Sequence, residues 1–258
     1  MSHPMESPDH LFNGIFEKLK RADENIVNLK VEIDAFISSG EYPVIPHPNS
    51  EVWQKAVDYH RNKLVPKRFS VLAGEIVHHL RSSLDHIVWH FSSDDARKKP
   101  NGLEFPMFEA EPLEENEIKN YNRKIKGITS PDVRKLIKDL QPYSAGADVA
   151  DDPLLIIHNM DRFDKHRELA IVISTAFVTV PPDRPDLIQK FELYKQGKLH
   201  GVELIEASRA LKNQGEVTPS VSFRQFGKRD SQPVIPGLAK LFNEVGTVVD
   251  LFGGFIKP

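Results

Sequence analysis

The chain has 258 residues, 40% of them hydrophobic and 28% charged, a composition that can bury one substantial core or two modest ones. It contains no cysteine, which excludes disulfides, thiolate metal sites and a cysteine nucleophile, and fits a reducing compartment. A net charge of −3 excludes a global electrostatic pull toward nucleic acid.

The opening MSHPMESPDH lacks a basic segment followed by an apolar one, so no secretory leader is read there and a cytoplasmic location is expected. From about Asp9 to Ser38, Leu11, Ile15, Leu19, Ile26, Leu29, Ile33 and Ile37 recur at helical steps with charges between them. Gly40 ends this helix, and Pro43, Pro46 and Pro48 predict an extended linker. Val52 to Leu64 fits a helix or a strand. The spacing of Phe69, Ala73, Ile76, Leu80, Leu84, Ile87 and Phe91 then predicts a strong helix over 69–91. Phe105-Pro106-Met107-Phe108 reads as a short extended apolar plug.

Two shorter helices are expected over 114–125 and 131–140, the second with Ser130 as N-cap and Pro131 at its first position. Gly146 lies in a loop, and a helix runs from about Asp152 to His166. Charge alternates in blocks here: Asp94 to Ile118 has a balance of −5, and Lys119 to Lys138 one of +6. Such blocks are solvated faces or, for the second, a basic patch able to hold phosphates.

Beyond Arg167 the texture changes. Glu168 to Val180, His200 to Ala210 and Val217 to Phe226 are rich in Val, Ile, Thr and Phe and read as strands, although Glu203 to Leu211 also fits a helix. The apolar run Leu169 to Val180 is too short and too interrupted to span a bilayer, so no membrane partner is expected. Gly237 to Ile256 returns to helical spacing as a closing helix. The expected fold class is α+β: a helical bundle over 1–168, then a small antiparallel sheet and a C-terminal helix over 169–258, packed as one unit with the first.

Chemistry-bearing residues concentrate in two places. Within Glu75 to His90, Glu75, His79, Ser83, His86 and His90 share one edge of the helix at about 100° per residue, while Arg81 and Asp85 stand four apart on the opposite edge, spaced for an ion pair. Three readings compete for this segment. The histidines can satisfy groups at the core boundary. His86 and His90 can share a metal, completed by Glu75 of another chain, His158 or His166. A histidine beside an arginine can act as acid–base on a ribose 2′-hydroxyl while the guanidinium stabilises phosphorane charge. The second place is Asp161 to Arg167, with six ionisable groups in seven residues. Lys165, His166 and Arg167 suit a helix C-terminus, or Asp164 orients a histidine while Lys165 or Arg167 grips a phosphate. No phosphate-cradling glycine loop, nucleophile elbow or His-Glu-x-x-His helix is present.

Arg81-Ser-Ser-Leu-Asp-His86 resembles the R-x4-H motif of HEPN domains, helical bundles of which many are metal-independent ribonucleases in toxin, CRISPR and anti-phage systems. That resemblance implies an HEPN-like bundle acting as a homodimer on RNA, with a cognate antitoxin as a further partner and no cofactor. The motif itself carries over only to Arg81 and His86, with Ser82 at its often polar position; in the ribonuclease reading Arg81, Asp85, His86 and His166 are expected to be catalytic, and Glu75, His79, Asp164, Lys165 and Arg167 to bind substrate. On an ideal helix Arg81 and His86 lie about 140° apart, so they converge only through side-chain reach, distortion or a partner protomer.

Over roughly residues 70–170 the chain is also similar to a widespread family of uncharacterised bacterial proteins. The phrases carrying the likeness are Leu80-Arg81-Ser82-Ser83-Leu84-Asp85-His86, Phe105-Pro106, Gln141-Pro142-Tyr143 and Asp164-Lys165-His166-Arg167, in the same order. Ser83 stands where that family often has alanine, and His90 lies outside its pattern. The likeness implies a shared site. It leaves a non-catalytic module, whose polar cluster fixes helix packing, as the alternative to the ribonuclease.

Overall fold

The computed structural model describes residues 8–39, 65–179, 183, 185–195, 198 and 216–256. The proline linker, the Val52–Leu64 element and the strand or helix expected near 200–211 lie outside them.

Helix α1 (Pro8–Ser39) buries Ile15, Leu19, Ile26, Leu29 and Ile33 along one side, as its spacing predicts, together with Phe12, which the spacing did not include; Ile37 is partly buried. That side packs along α2 (Lys67–Phe91), the central helix of the molecule. The expected stripe on α2 is buried except for Phe91, which is partly buried, and Leu72, Val77, Ser83 and Val88 are buried as well. The buried surface is wider than one stripe because α1, α6 (Pro153–Asp164) and α8 (Val234–Gly253) all press on the same helix. Periodicity shows that a face is apolar, but not how many neighbours share the helix.

Between α2 and α6 lie α3 (Asp94–Arg97), α4 (Glu115–Lys124), α5 (Pro131–Asp139) and a 3-10 segment over Pro142–Asp151. Ser130 caps α5 as expected, its hydroxyl accepting from Val133 N. Helix α3 is too short for periodicity to announce. Ser93 caps it, and Arg97 reaches back to donate to the Trp89 and His90 carbonyls at the end of α2. The loop expected around Gly146 is a kinked 3-10 segment, with Gly146 at a φ of 68°.

Asp152, the N-cap of α6, accepts from Leu154 N at 2.9 Å and Leu155 N at 3.1 Å. The helix ends at Asp164, two residues short of the expected His166. Lys165, His166 and Arg167 instead curl into a turn whose N–H groups bond the Asp161 and Phe163 carbonyls.

The sheet has three antiparallel strands in the order β1 (Ile171–Thr179), β2 (Glu216–Phe226) and β3 (Arg229–Pro233). The first two match the expected strands. Strand β3, Arg-Asp-Ser-Gln-Pro, has no apolar alternation and is held by its hairpin pairing with β2 and by contact with the closing helix. Gly227 and Lys228 make the turn, Gly227 at a φ of 61° that side chains rarely adopt. Pro219 sits in the middle strand without an N–H to donate, and the β1–β2 register shifts beside it between Thr175 and Phe177. Helix α7 (Pro185–Lys195) follows β1 and is not announced by apolar spacing either. Helix α8 begins at Val234, earlier than the expected Gly237, and contacts α1, α2, α6, β2 and β3.

Candidate functional site

The polar residues of α2 separate onto two sides. On the first, Arg81 is only 4% exposed, deep for a guanidinium. Its Nη2 lies 2.9 Å from Asp85 Oδ1 and 3.5 Å from Glu104 Oε2, and donates to the Phe105 carbonyl at 2.9 Å. Nη1 meets the Met107 sulfur at 3.2 Å. Asp85 accepts from Phe105 N at 2.9 Å, so the expected Arg81–Asp85 pair grips both the N–H and the carbonyl of one residue. Gln141 carries the clamp one residue further, its amide donating to the Pro106 carbonyl at 2.8 Å. Three of the four sequence phrases therefore meet on the Phe105-Pro106 segment.

The fourth phrase meets α2 lower down. Asp164 lies against Gly74, where an added Cβ would stand 2.5 Å from the carboxylate carbon. Alanine there forces the carboxylate to move and α6 with it. Gly74→Ala is expected to lose about 1–2 kcal/mol in urea unfolding, because overpacking outweighs the helical advantage of alanine. Adding Asp164→Ala should recover most of that loss. No recovery would mean that the close approach does not set the α2–α6 distance.

Next to this contact is a pair that the sequence did not single out. His78 Nδ1 lies 3.0 Å from Asp161 Oδ1, with the histidine side chain 58% exposed and the carboxylate 6% exposed. Lys165 holds the other Asp161 oxygen at 2.6 Å. The signal was present: His78, Arg81 and Asp85 share one side of α2, and His158 and Asp161 share one side of α6.

Burial pushes the Asp85 carboxyl above its usual range, despite Arg81 and the Phe105 N–H. Burial also pushes Glu104 up, but Lys124 and Arg81 outweigh it and hold that carboxyl below the usual range. His158 is driven down to about 4, first by burial and then by Arg81 and Lys124. Burial and neighbouring Asp161 raise Asp164.

On the second side of α2 stand Glu75, His79, His86 and His90, as expected. They do not line an open groove, because α1 runs beside them. Asn25 donates to Glu75 at 3.4 Å, Gly14 faces His86 Nδ1, and the His90 ring meets Phe12 at 5.2 Å. Ser83 is fully buried and bonds the His79 carbonyl. Arg81 and His86 are thus not brought together within the chain: one faces Phe105 and the other faces α1. His166 is exposed, and Arg167 stacks over Phe163 with its guanidinium 5.9 Å from the ring centroid.

The basic stretch Lys119 to Lys138 is largely engaged. Lys124 pairs with Glu104, Lys126 bonds the Lys99 and Asn101 carbonyls, and Arg134 bonds those of Ile125 and Ile128. Lys135 and Lys138 pair with Asp139 and Glu111 at the surface, where such pairs exchange readily.

The opposite side of α6 lines a cleft of about 510 Å³ against β2. Ile156, Met160, Leu169 and Phe223 give it an apolar lining, with Asn159 and Arg224 among its polar residues. Helix α6 is thus two-sided, fastened to α2 by Asp161 and Asp164 and open to a cleft on its other flank.

Among the described residues no group of three or more His, Asp or Glu is placed to hold a metal ion, and no helix is long and apolar enough to cross a membrane. No protein-family model, curated protein or solved structure matches the chain.

Proposed function

We propose that the chain is a non-catalytic binding module in which the Arg81–Asp85 cluster fixes helix packing. The observation that carries this reading is the setting of Arg81. A guanidinium that serves a reacting phosphate needs donors left over and a path to solvent. That of Arg81 is 4% exposed, and both of its terminal nitrogens are turned to Asp85, Glu104, the Phe105 carbonyl and the Met107 sulfur. Such a buried network specifies how elements pack.

A second reading, metal-independent RNA cleavage, is favoured by one observation, the His78–Asp161 pair. A buried carboxylate that holds one imidazole nitrogen leaves the other to face solvent, as general acid–base work requires. In this version His78 takes the role expected of His86, and Lys165, on the other Asp161 oxygen, is an exposed cation beside the pair. The HEPN-like version, with Arg81 and His86, would need a homodimer to supply a second cation to His86.

Purified protein incubated with labelled RNA and chelator separates these readings, beside His78→Gln, His86→Ala and Asp161→Asn. The binding-module reading expects no cleavage by any of them. Cleavage lost in His78→Gln and Asp161→Asn, with both still folded, would replace it with the second reading. Cleavage lost only in His86→Ala would support the HEPN-like version, and cleavage stopped by chelator would call for a metal.

A further inference from the structure

Helix α1 gives only one of its sides to the core. Among the described elements it meets α2, α8 and β2, and Ile15, Leu19, Ile26 and Ile33 are buried on that side. On the outer side Phe16, Val27 and Val31 stand 51%, 55% and 62% exposed. We propose that this outer side is a homodimer interface, on which a second copy of the chain lays its own α1 antiparallel, with the two-fold axis passing at Val27.

Exposed apolar side chains scattered singly carry no such meaning. Here they share a face with charges in a particular order. Phe16, Lys20, Asp23, Val27, Lys30 and Asp34 follow one another at alternating steps of four and three residues, and all six are exposed. At about 100° per residue they fall within an arc of about 80°, the narrow seam along which two helices pack at a small crossing angle. Val31 lies beside the seam and widens its apolar centre.

The order of charge along the seam selects one partner and one register. In an antiparallel pair centred on Val27, Lys20 lies opposite Asp34 of the second copy and Asp23 lies opposite Lys30 of the second copy. Symmetry makes each pairing twice, so four opposite-charge contacts flank a Val27–Val27 centre. A parallel pair sets every charge against itself. Sliding the antiparallel pair by half a heptad brings Asp23 or Lys30 onto the axis against its own copy. Such repulsion of the alternatives is how helix pairs acquire register. Within one chain Lys30 already reaches Asp34, both side chains 59% exposed, and a pair so exposed exchanges readily for one across the seam.

This is not the contact that the R-x4-H resemblance implies. Gly14, which faces His86, lies on the opposite side of α1 from the seam, so the second copy brings no residue to that ring.

Sedimentation equilibrium on the full chain should show a monomer–dimer equilibrium, with a dissociation constant on the order of 10–100 µM for so narrow a face. Added salt should weaken it. Val27→Asp should weaken association at least about tenfold, by setting two carboxylates against each other on the axis, with retained folding checked by urea unfolding. Lys20→Asp or Asp34→Lys alone should weaken it by about as much, and the two together in one chain should restore it. The chain has no cysteine, so a single introduced thiol reports position cleanly. Val27→Cys should oxidise to a crosslinked dimer, whereas Phe16→Cys, about 33 Å from its counterpart in the antiparallel pair, should not. A chain that stays monomeric to about 1 mM would leave the face to a different partner and overturn the proposal. So would association untouched by Val27→Asp, a double variant no better than its singles, or equal crosslinking at the two positions.

Discussion

Arg81→Ala is expected to cost about 3–5 kcal/mol of stability, the loss typical of a buried ion pair deprived of one partner. The substitution removes the donor to the Phe105 carbonyl and leaves Asp85 and Glu104 without their shared cation. Replacing the other partner should cost far less. Asp85→Asn keeps an oxygen able to accept from Phe105 N, and Arg81 retains Glu104 and the Phe105 carbonyl. Burial has already raised the Asp85 carboxyl, so its surroundings favour the neutral form and a neutral replacement loses about 1 kcal/mol or less. Urea unfolding at neutral pH measures both. Equal losses, or a smaller one for Arg81→Ala, would show that the guanidinium is not the keystone of this segment. The deficit of Arg81→Ala should also shrink as pH falls. Without the cation the Asp85 carboxyl rises further, while Glu104 keeps Lys124, and a raised folded value favours the folded state below it and disfavours it above.

What the sequence revealed follows from the ranges of the forces involved. The apolar spacing of α1 and α2 depends on neighbours three or four residues apart, so both helices and their inner faces were legible from order alone. The Arg81–Asp85 pair was legible for the same reason. Its role was not, because that depends on Phe105, some 20 residues further along the chain and brought back by the fold. The edge bearing His79, His86 and His90 was drawn correctly, but whether an edge faces solvent or another helix is settled by α1, about 70 residues earlier. Asp161 belongs to a legible cluster and His78 shares a side of α2 with Arg81, but their pairing depends on a 3.0 Å approach across 83 residues of chain that only the fold supplies. Strand β3 and helix α3 lack an apolar pattern and are fixed by a hairpin turn and a serine cap. The cleft joins α6, the start of β1 and β2, so no local pattern could announce it.

Acid should destabilise the fold through its histidines. His79, His86, His90 and His158 all have lowered values, burial being the first cause for each. Lys18 adds to this at His79 and His86, Arg97 at His90, and Arg81 with Lys124 at His158. The unfolded chain titrates its histidines near pH 6.5. Below that the unfolded state takes up protons that the folded state refuses, so stability falls with pH until the folded values are passed. For His158 the drop from 6.5 to about 4 is worth about 3 kcal/mol at its acid limit. Asp85, Asp152, Asp164 and Glu244 work the other way, since burial raises each and protonating them favours the folded state. A wild-type profile therefore mixes both signs, and single variants must isolate the histidine contribution. His158→Asn should flatten the slope of stability against pH between about 6 and 4.5 by up to roughly 1.4 kcal/mol per pH unit, one proton's worth. His86→Asn should also flatten it, below the unfolded histidine value near 6.5. Urea midpoints across that window test the assignment, and a slope unchanged in His158→Asn would remove His158 as the leading acid-sensitive group. Keeping the His158 imidazole neutral beside Arg81 and Lys124 thus costs the fold little near neutral pH, where the unfolded chain is largely neutral there too, and more as acid charges that ring only in the unfolded chain.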